Sequence, residues 1–330
     1  MSETPAAATA ERTFTHQALL YNSDAQFLAT AVPFALAGLA AAEPVLIAAT
    51  PRNNSLLRHA LGPCRAAGVE FAPGRRSYNG PAQTLLEQRD RANATPGHTR
   101  VLSETFATVR SRARAEEWIR YEALLNLALA ATRAWILCPY DTRHLPAHLL
   151  DRAQRTHPYL LHGTSDGAGN GTVNPGYTDP HTVSAACDTR PWQQRPARAA
   201  DFPFRRTDQL ADLRGFAAHH AREIGLAPER LDALLVSVVE AATNTLVHGA
   251  GRGTCRIWNT DTELLCDITD PAATLDPALA GYLPPAANHP GGRGLWIIRQ
   301  LCDAVDIRTT GAGSTIRLRL TLPPVRPHPA

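Results

Sequence analysis

The run Leu234–Gly249, LLVSVVEAATNTLVHG, constrains this chain most, because it sets two polar residues four apart inside an apolar helical pattern. Steps of about 100° per residue bring positions i and i+4 to nearly the same face. Glu240 and Asn244 therefore project together from a stripe of Leu235, Val238, Val239, Ala242 and Leu246. Burying such groups costs roughly 1–3 kcal/mol each unless partners satisfy them. A metal ion and a phosphorylated ligand are natural partners, since both side chains offer oxygen to a hard cation. Neighbouring backbone is an equally simple partner, so this pair alone leaves both readings open.

Later segments add to it. Thr254–Asp270 (TCRIWNTDTELLCDITD) reads as a hairpin around an Asn-Thr-Asp turn, and Pro271 stops its second strand at Asp270. After a loop rich in Pro, Ala and Asn, Gly291-Gly292-Arg293-Gly294 runs directly into an amphipathic helix ending near Cys302. Glycines at a helix start let backbone N–H groups approach a phosphate, and the helix dipole adds attraction. Strands at Val305–Thr309 and Thr315–Leu322, joined by Gly311-Ala312-Gly313, close the pattern. A glycine turn alone is weak. The order of helix with Glu and Asn, strand ending in Asp, lid, and Gly-x-Gly before a helix is much more specific.

On these residues the segment 201–323 resembles the histidine-kinase-like ATPase family with the Bergerat (GHKL) fold, and within it the bacterial anti-sigma factor serine/threonine kinases. The resemblance implies an α+β domain with helices packed on one face of a mixed sheet. It implies that Asn244 binds Mg²⁺ and that Glu240 is the general base on an attacking hydroxyl. It makes Asp270 the acceptor for the adenine amino group, sets Gly292 and Gly294 beneath the phosphates of ATP with Arg293 as a further phosphate contact, and puts Thr315 near the adenine. It also implies a sigma factor and a STAS-type anti-anti-sigma protein as partners, and a homodimer. One departure stands out: the family's Asp-x-Gly reads Asp270-Pro271-Ala272 here, and the lid from Thr274 to His289 is short and Pro-rich. These features favour an alternative, a non-catalytic adaptor that binds sigma or anti-anti-sigma partners without turnover.

The first half alternates strand and helix patterns. Strands are expected at Gln17–Tyr21, Pro44–Thr50 (PVLIAAT), Val69–Phe71, Val101–Leu102 and Ala134–Cys138. Helices are expected from Ser23 or Asp24 to Ala42, and at Asn54–Leu61, Gln83–Ala92 and Glu116–Ala131. Continuous apolar runs fit strands covered on both faces, so the expected α/β domain has an open, mainly parallel sheet with helices on both faces. A ligand crevice belongs at the C-terminal ends of such strands. The segments ALLYNSDAQF, PVLIAAT, CPYDT and RTHPYL, with His16, resemble the MEDS domain, the methanogen and methylotroph sensory family, over residues 14–165. The resemblance implies a small-molecule effector. His16, Tyr21, Tyr140 and Asp141 are candidates for its pocket, although His16 reads equally as a hydrogen-bonded core residue and Asp141 as a cap for a helix at Leu145–Ala153.

Residues 1–13 read as a disordered N-terminus, 166–200 as a linker rich in Gly, Asn, Asp, Thr and Pro, and 324–330 as a tail. The chain contains no Lys, which excludes a Walker A lysine or a Schiff-base enzyme. Net charge is +3, and no basic run supports direct nucleic-acid binding. Six dispersed cysteines without C-x-x-C spacing fit a reducing cytoplasm. The thirteen histidines are scattered, His219-His220 being the only adjacent pair, and zinc-ligand spacing is missing. His157 precedes Pro158, with no helical hairpin around it to make it a phosphoacceptor. The Ala-rich run Phe27–Ala42 holds Pro33 and is bounded by charges, so no membrane segment is expected.

Overall fold

A computed structural model describes residues 14–73, 80–106, 112–162, 171–189, 192, 196, 199–272, 280–282 and 292–323. The expected N-terminus and tail, most of the lid, and Gly291 lie outside them. The chain divides into two compact units. One is built mainly from residues up to 178. The other runs from 179 onward and includes the short segments 78–86 and 110–121.

Up to residue 178 the elements are β1 (Thr15–Tyr21), α1 (Asp24–Ala40), β2 (Val45–Ala49), α2 (Pro51–Leu61), α3 (Pro63–Ala66), β3 (Glu70–Pro73), α4 (Pro81–Ala94), β4 (Thr99–Ser103), α5 (Arg112–Ala128), β5 (Ala134–Asp141), α6 (Ala147–Arg155), β6 (Tyr159–His162) and β7 (Thr172–Val173), α4 and α5 each beginning in a segment that belongs to the other unit. They form a seven-stranded sheet ordered β3-β2-β4-β5-β1-β6-β7, parallel except for the β6–β7 pair. Local chemistry sets the helix starts. Ser23 Oγ accepts from the Gln26 N–H at 3.2 Å. Thr50 Oγ1 accepts from Asn53 N–H at 3.2 Å and Pro51 takes the first helical position, so α2 opens three residues before the expected Asn54.

Period-two alternation decides which face each residue serves. Leu19, Tyr21, Trp135 and Leu137 pack with Phe27, Ala31 and Phe34 of α1. The intervening residues His16 and Cys138 meet Glu122 of α5 on the opposite face. Both faces are therefore covered, as the apolar runs of β2 and β5 require.

The stretch expected to be linker holds β7 and a helix, α7 (Pro180–Asp188). Asp179 caps it by accepting from the N–H groups of His181 and Thr182, and Pro180 starts it. Beyond it lie β8 (Ala200–Phe204), α8 (Leu210–Ile224), α9 (Pro228–Val247), β9 (Gly253–Asn259), β10 (Glu263–Asp270), α10 (Arg293–Leu301), β11 (Ala304–Thr310) and β12 (Gly313–Thr321). The sheet order is β11-β12-β10-β9-β8. All its pairings among the described strands are antiparallel, a narrower arrangement than the mixed sheet expected. One face carries Cys255, Ile257, Leu264, Cys266, Ile268, Ile316, Leu318 and Leu320 into a core with Leu213 and Ala217 of α8 and Leu234, Val238 and Ala242 of α9.

The other face is buried but charged. Arg317 forks onto Asp267 at 2.7 and 2.8 Å, Arg319 bonds Asp306 at 2.8 Å and Glu263 at 3.0 Å, and Trp192 lies over Arg317. Planar guanidinium groups suit this arrangement because they pair with carboxylates in a fork and stack on rings. Among the described residues, no helix is long and apolar enough to cross a membrane.

Candidate functional site

In the second unit, α9, the end of β10, β12 and the start of α10 enclose a cavity of about 190 Å³. Asn244 and Thr245 line it from α9, Ile268 and Asp270 from β10, Gly292, Gly294 and Leu295 from the α10 entry, and Ser314 and Ile316 from β12. Four segments remote in sequence thus converge. Closeness is enforced by two glycines. A Cβ on Gly294 would come within 2.9 Å of Glu240 Oε2 and 3.3 Å of Asn244 Oδ1, so the α10 entry seats directly on the two polar side chains of α9. A Cβ on Gly249 would fall 1.6 Å from Asp270 Oδ2, a position no side chain can share.

Asp270 is fixed by its own surroundings. Its Oδ1 accepts from Ala250 N–H at 3.0 Å and from Ala272 N–H at 2.8 Å. Ala272, where the family pattern has glycine, thus contributes backbone to hold the aspartate. Gly292 adopts φ 86° immediately before α10, a left-handed turn suited to glycine. Asn244 lines the cavity beside Gly294, and its amide oxygen is a donor of the kind that suits a hard cation completed by phosphate oxygens.

Two sequence candidates stand elsewhere. Thr315 does not line the cavity. Its neighbours Ser314 and Ile316 do, and the Thr315 hydroxyl instead lies 3.3 Å from that of Thr269 on the opposite face. Asp270 pairs in register with Ser314 and Thr269 with Thr315, so a one-residue slip in the sequence reading inverts the face. Arg293 is exposed in the first turn of α10 and is not among the lining residues.

In the first unit a crevice of about 530 Å³ opens at the C-terminal ends of the parallel strands. Tyr21 ends β1, Thr50 follows β2, Glu104 follows β4 and Asp141 ends β5. Asn53 links them. Its amide nitrogen donates to Glu104 at 3.0 Å and to the Tyr21 hydroxyl at 3.1 Å, while Glu104 also accepts from Thr50 N–H at 2.8 Å. Burial raises the Glu104 carboxyl above its ordinary value, against these lowering hydrogen bonds. Asp141 goes the other way. Burial would raise it, but the side chain and backbone N–H of Arg143 and the His144 ring hold it at about 2. Arg143 and Arg52 both pair with Asp24 at the rim.

Tyr21 and Asp141 therefore occupy the expected place, and His16 and Tyr140 do not. Register explains the split. Tyr21 lies opposite Asp141 and His16 opposite Ile136, so His16 and Tyr140 share the other face of the sheet and are buried. Asp141 does not cap a helix either, since α6 begins at Ala147 with Pro146 before it. Thr50, Asn53 and Glu104 escaped the sequence reading. The signal available was a Thr-Pro helix start after a buried strand, which sets a cap and an asparagine at the strand end.

Residues 15–158 match the MEDS family, described as MEthanogen/methylotroph, DcmR Sensory domain, and residues 202–320 match the Histidine kinase-like ATPase domain family. Among solved structures, the RsbU and RsbW domains of Rv1364c from Mycobacterium tuberculosis are 14% identical over 39% of this chain and 34% of that one, with a TM-score of 0.30. The chain thus spans about a third of that protein's length. The SiaB–SiaC complex from Pseudomonas aeruginosa is 14% identical over 37% of this chain and 88% of that one, with a TM-score of 0.29. No curated protein sequence matches the chain.

Proposed function

We propose that this chain, a MEDS sensory domain followed by a histidine kinase-like ATPase domain, is a cytoplasmic regulator that uses ATP and Mg²⁺ to phosphorylate a Ser or Thr of a STAS-type anti-anti-sigma protein, a sigma factor being its other partner. The observation that carries the reading is the convergence of Asn244, Asp270, Gly292 and Gly294 on one cavity, with Glu240 beside it. Asn244 would hold Mg²⁺, Asp270 the base and the Gly292–Gly294 turn the phosphates. Phosphoryl transfer needs positioning and charge neutralisation more than covalent chemistry. As the partner's hydroxyl oxygen bonds to the γ-phosphorus, Glu240 would take its proton and ADP would leave. In the first unit, a small polar effector would bind the crevice between Tyr21, Asn53, Glu104 and Asp141.

Titration of the full chain with ATP and Mg²⁺ tests this reading. The expected affinity is micromolar, about −8 kcal/mol, and Asn244→Ala should weaken it at least about tenfold. Glu240→Ala should bind ATP as the wild type does and transfer nothing to a STAS partner. Equal transfer by that variant would discard its role as base. The adaptor reading is favoured by the size of the cavity, below the roughly 300–1,000 Å³ usual for small-molecule sites. Wild-type protein that binds its protein partners but no nucleotide would establish it.

A further inference from the structure

We propose that His16, Glu122, Cys138 and His157 form a buried, four-ligand site for a divalent transition metal, best matched by Zn²⁺, in the first unit. Their spacing along the chain carries no zinc signal. The fold supplies it, drawing one residue each from β1, α5, β5 and the turn after α6 to within 4.8 Å of one another, ligand atom to ligand atom. All four side chains are buried.

Four of the six ligand-to-ligand distances match the edges of a tetrahedron around one ion. With metal–nitrogen and metal–oxygen bonds of about 2.0–2.1 Å and metal–sulfur of about 2.3 Å, tetrahedral ligands stand about 3.3–3.6 Å apart. Glu122 Oε2 lies 3.2 Å from His16 Nε2, 3.4 Å from Cys138 Sγ and 3.6 Å from His157 Nε2, and Cys138 Sγ lies 3.5 Å from His16 Nε2.

Outer hydrogen bonds turn the lone pairs inward. His157 Nδ1 faces the Ala153 carbonyl at 2.7 Å, which can only accept, so Nδ1 carries the proton and Nε2 a lone pair. That Nε2 is fully buried and, among the described residues, has no hydrogen-bond partner. Asn126 spends its amide N–H groups on the Thr156 and Ala123 carbonyls and turns Oδ1 to His16 Nδ1 at 3.2 Å, which leaves His16 Nε2 facing Glu122 Oε2 at 3.2 Å, a gap that either a proton or a metal ion can bridge. Thr105 donates to the outer oxygen of Glu122 at 2.6 Å. Glu122 Oε2 is met by His16 Nε2 and the Cys138 thiol, but the buried His157 Nε2 lone pair 3.6 Å away has no proton to accept, and an ion at the centre would engage all four groups at once.

A dication answers that need, and such outer partners are the usual support of metal ligands. A carboxylate and a thiolate with two neutral imidazoles also cancel its charge, which a buried site requires. Four protein ligands leave no open position, the arrangement of a structural site.

The test uses the full chain, purified without added metal and without nucleotide. Metal analysis should find about one Zn²⁺ per chain. After chelation, Co²⁺ should restore the intense visible bands of tetrahedral coordination and a thiolate-to-cobalt charge-transfer band. Cys138→Ser should remove the charge-transfer band, and His157→Ala should remove stoichiometric metal. The exposed group His219, His220 and Glu223 on α8 is the rival locus, and H219A/H220A should leave both signals intact. The wild-type readings stand even if core variants fail to fold. Wild type with no tightly held metal and only the weak spectrum of six-coordinate cobalt would overturn the proposal, as would metal that departs with His219 and His220.

Discussion

The C-terminal cavity draws its shape from missing side chains, whereas the N-terminal crevice draws its shape from side chains that hold one another. In the first, Gly249 and Gly294 let backbone press against Asp270, Glu240 and Asn244. In the second no glycine lines the opening among the described residues, and Asn53 joins Tyr21 to Glu104 across strand ends. A cavity of the first kind is intolerant of added atoms. One of the second kind is intolerant of lost hydrogen bonds.

The largest effect should come from adding an atom. Gly249→Ala forces a methyl group onto Asp270, so we expect destabilisation of about 1–3 kcal/mol by overpacking. ATP binding should fall at least about hundredfold, roughly 2.7 kcal/mol. Denaturant unfolding and nucleotide titration check both, and wild-type binding by this variant would break the contrast. Next comes the loss of a hydrogen bond. Asn53→Ala removes a buried donor from Glu104 and should cost about 1–3 kcal/mol in the same unfolding assay while leaving ATP binding untouched.

Ser314 and Thr315 give a smaller, sharper test. Ser314→Ala should weaken ATP by about two- to tenfold, the range of one neutral hydrogen bond, and Thr315→Val by less than about twofold. The reverse ranking would restore Thr315 to the cavity.

The smallest effect is on pH dependence. The folded Asp141 carboxyl sits near 2, below its ordinary 3.8, so its stabilisation is complete above that range and fades as pH falls from about 4 to 2. Asp141→Asn should flatten that acid limb. Glu104 is displaced upward, so its contribution has the opposite slope and diminishes as pH rises past the usual carboxylate range. Glu104→Gln should remove that decline and leave the acid limb in place.

These contrasts explain what the sequence revealed. Glu240 and Asn244 are legible because a helix brings i and i+4 together without outside help, and Gly292-Arg293-Gly294 because the turn and its helix are contiguous. The hairpin from Gly253 to Asp270 is equally local. Thr315 stands off the cavity because the face a strand residue presents depends on its register with β10, which the sequence does not state. His16 reads as pocket or core alike, because the strand β1 is legible in the sequence and its pairing with β5 is not. Glu122, whose helix was foreseen, went unnoticed as a ligand, since its partners come from strands and a turn scattered over the chain. Asp179-Pro180 was lost in a stretch whose composition resembled a linker.

On the proposed reading, the two hydrogen bonds that pin Asp270 bear on nucleobase choice. With Oδ1 occupied by the Ala250 and Ala272 amides, what the carboxylate can offer a base is lone pairs on Oδ2. A purine placed there would be welcome if it pointed an exocyclic amino group inward, as adenine does at its six-position, and would be repelled if it pointed a carbonyl oxygen, as guanine does. Discrimination between ATP and GTP would then be decided at one oxygen atom, before the triphosphate meets α10.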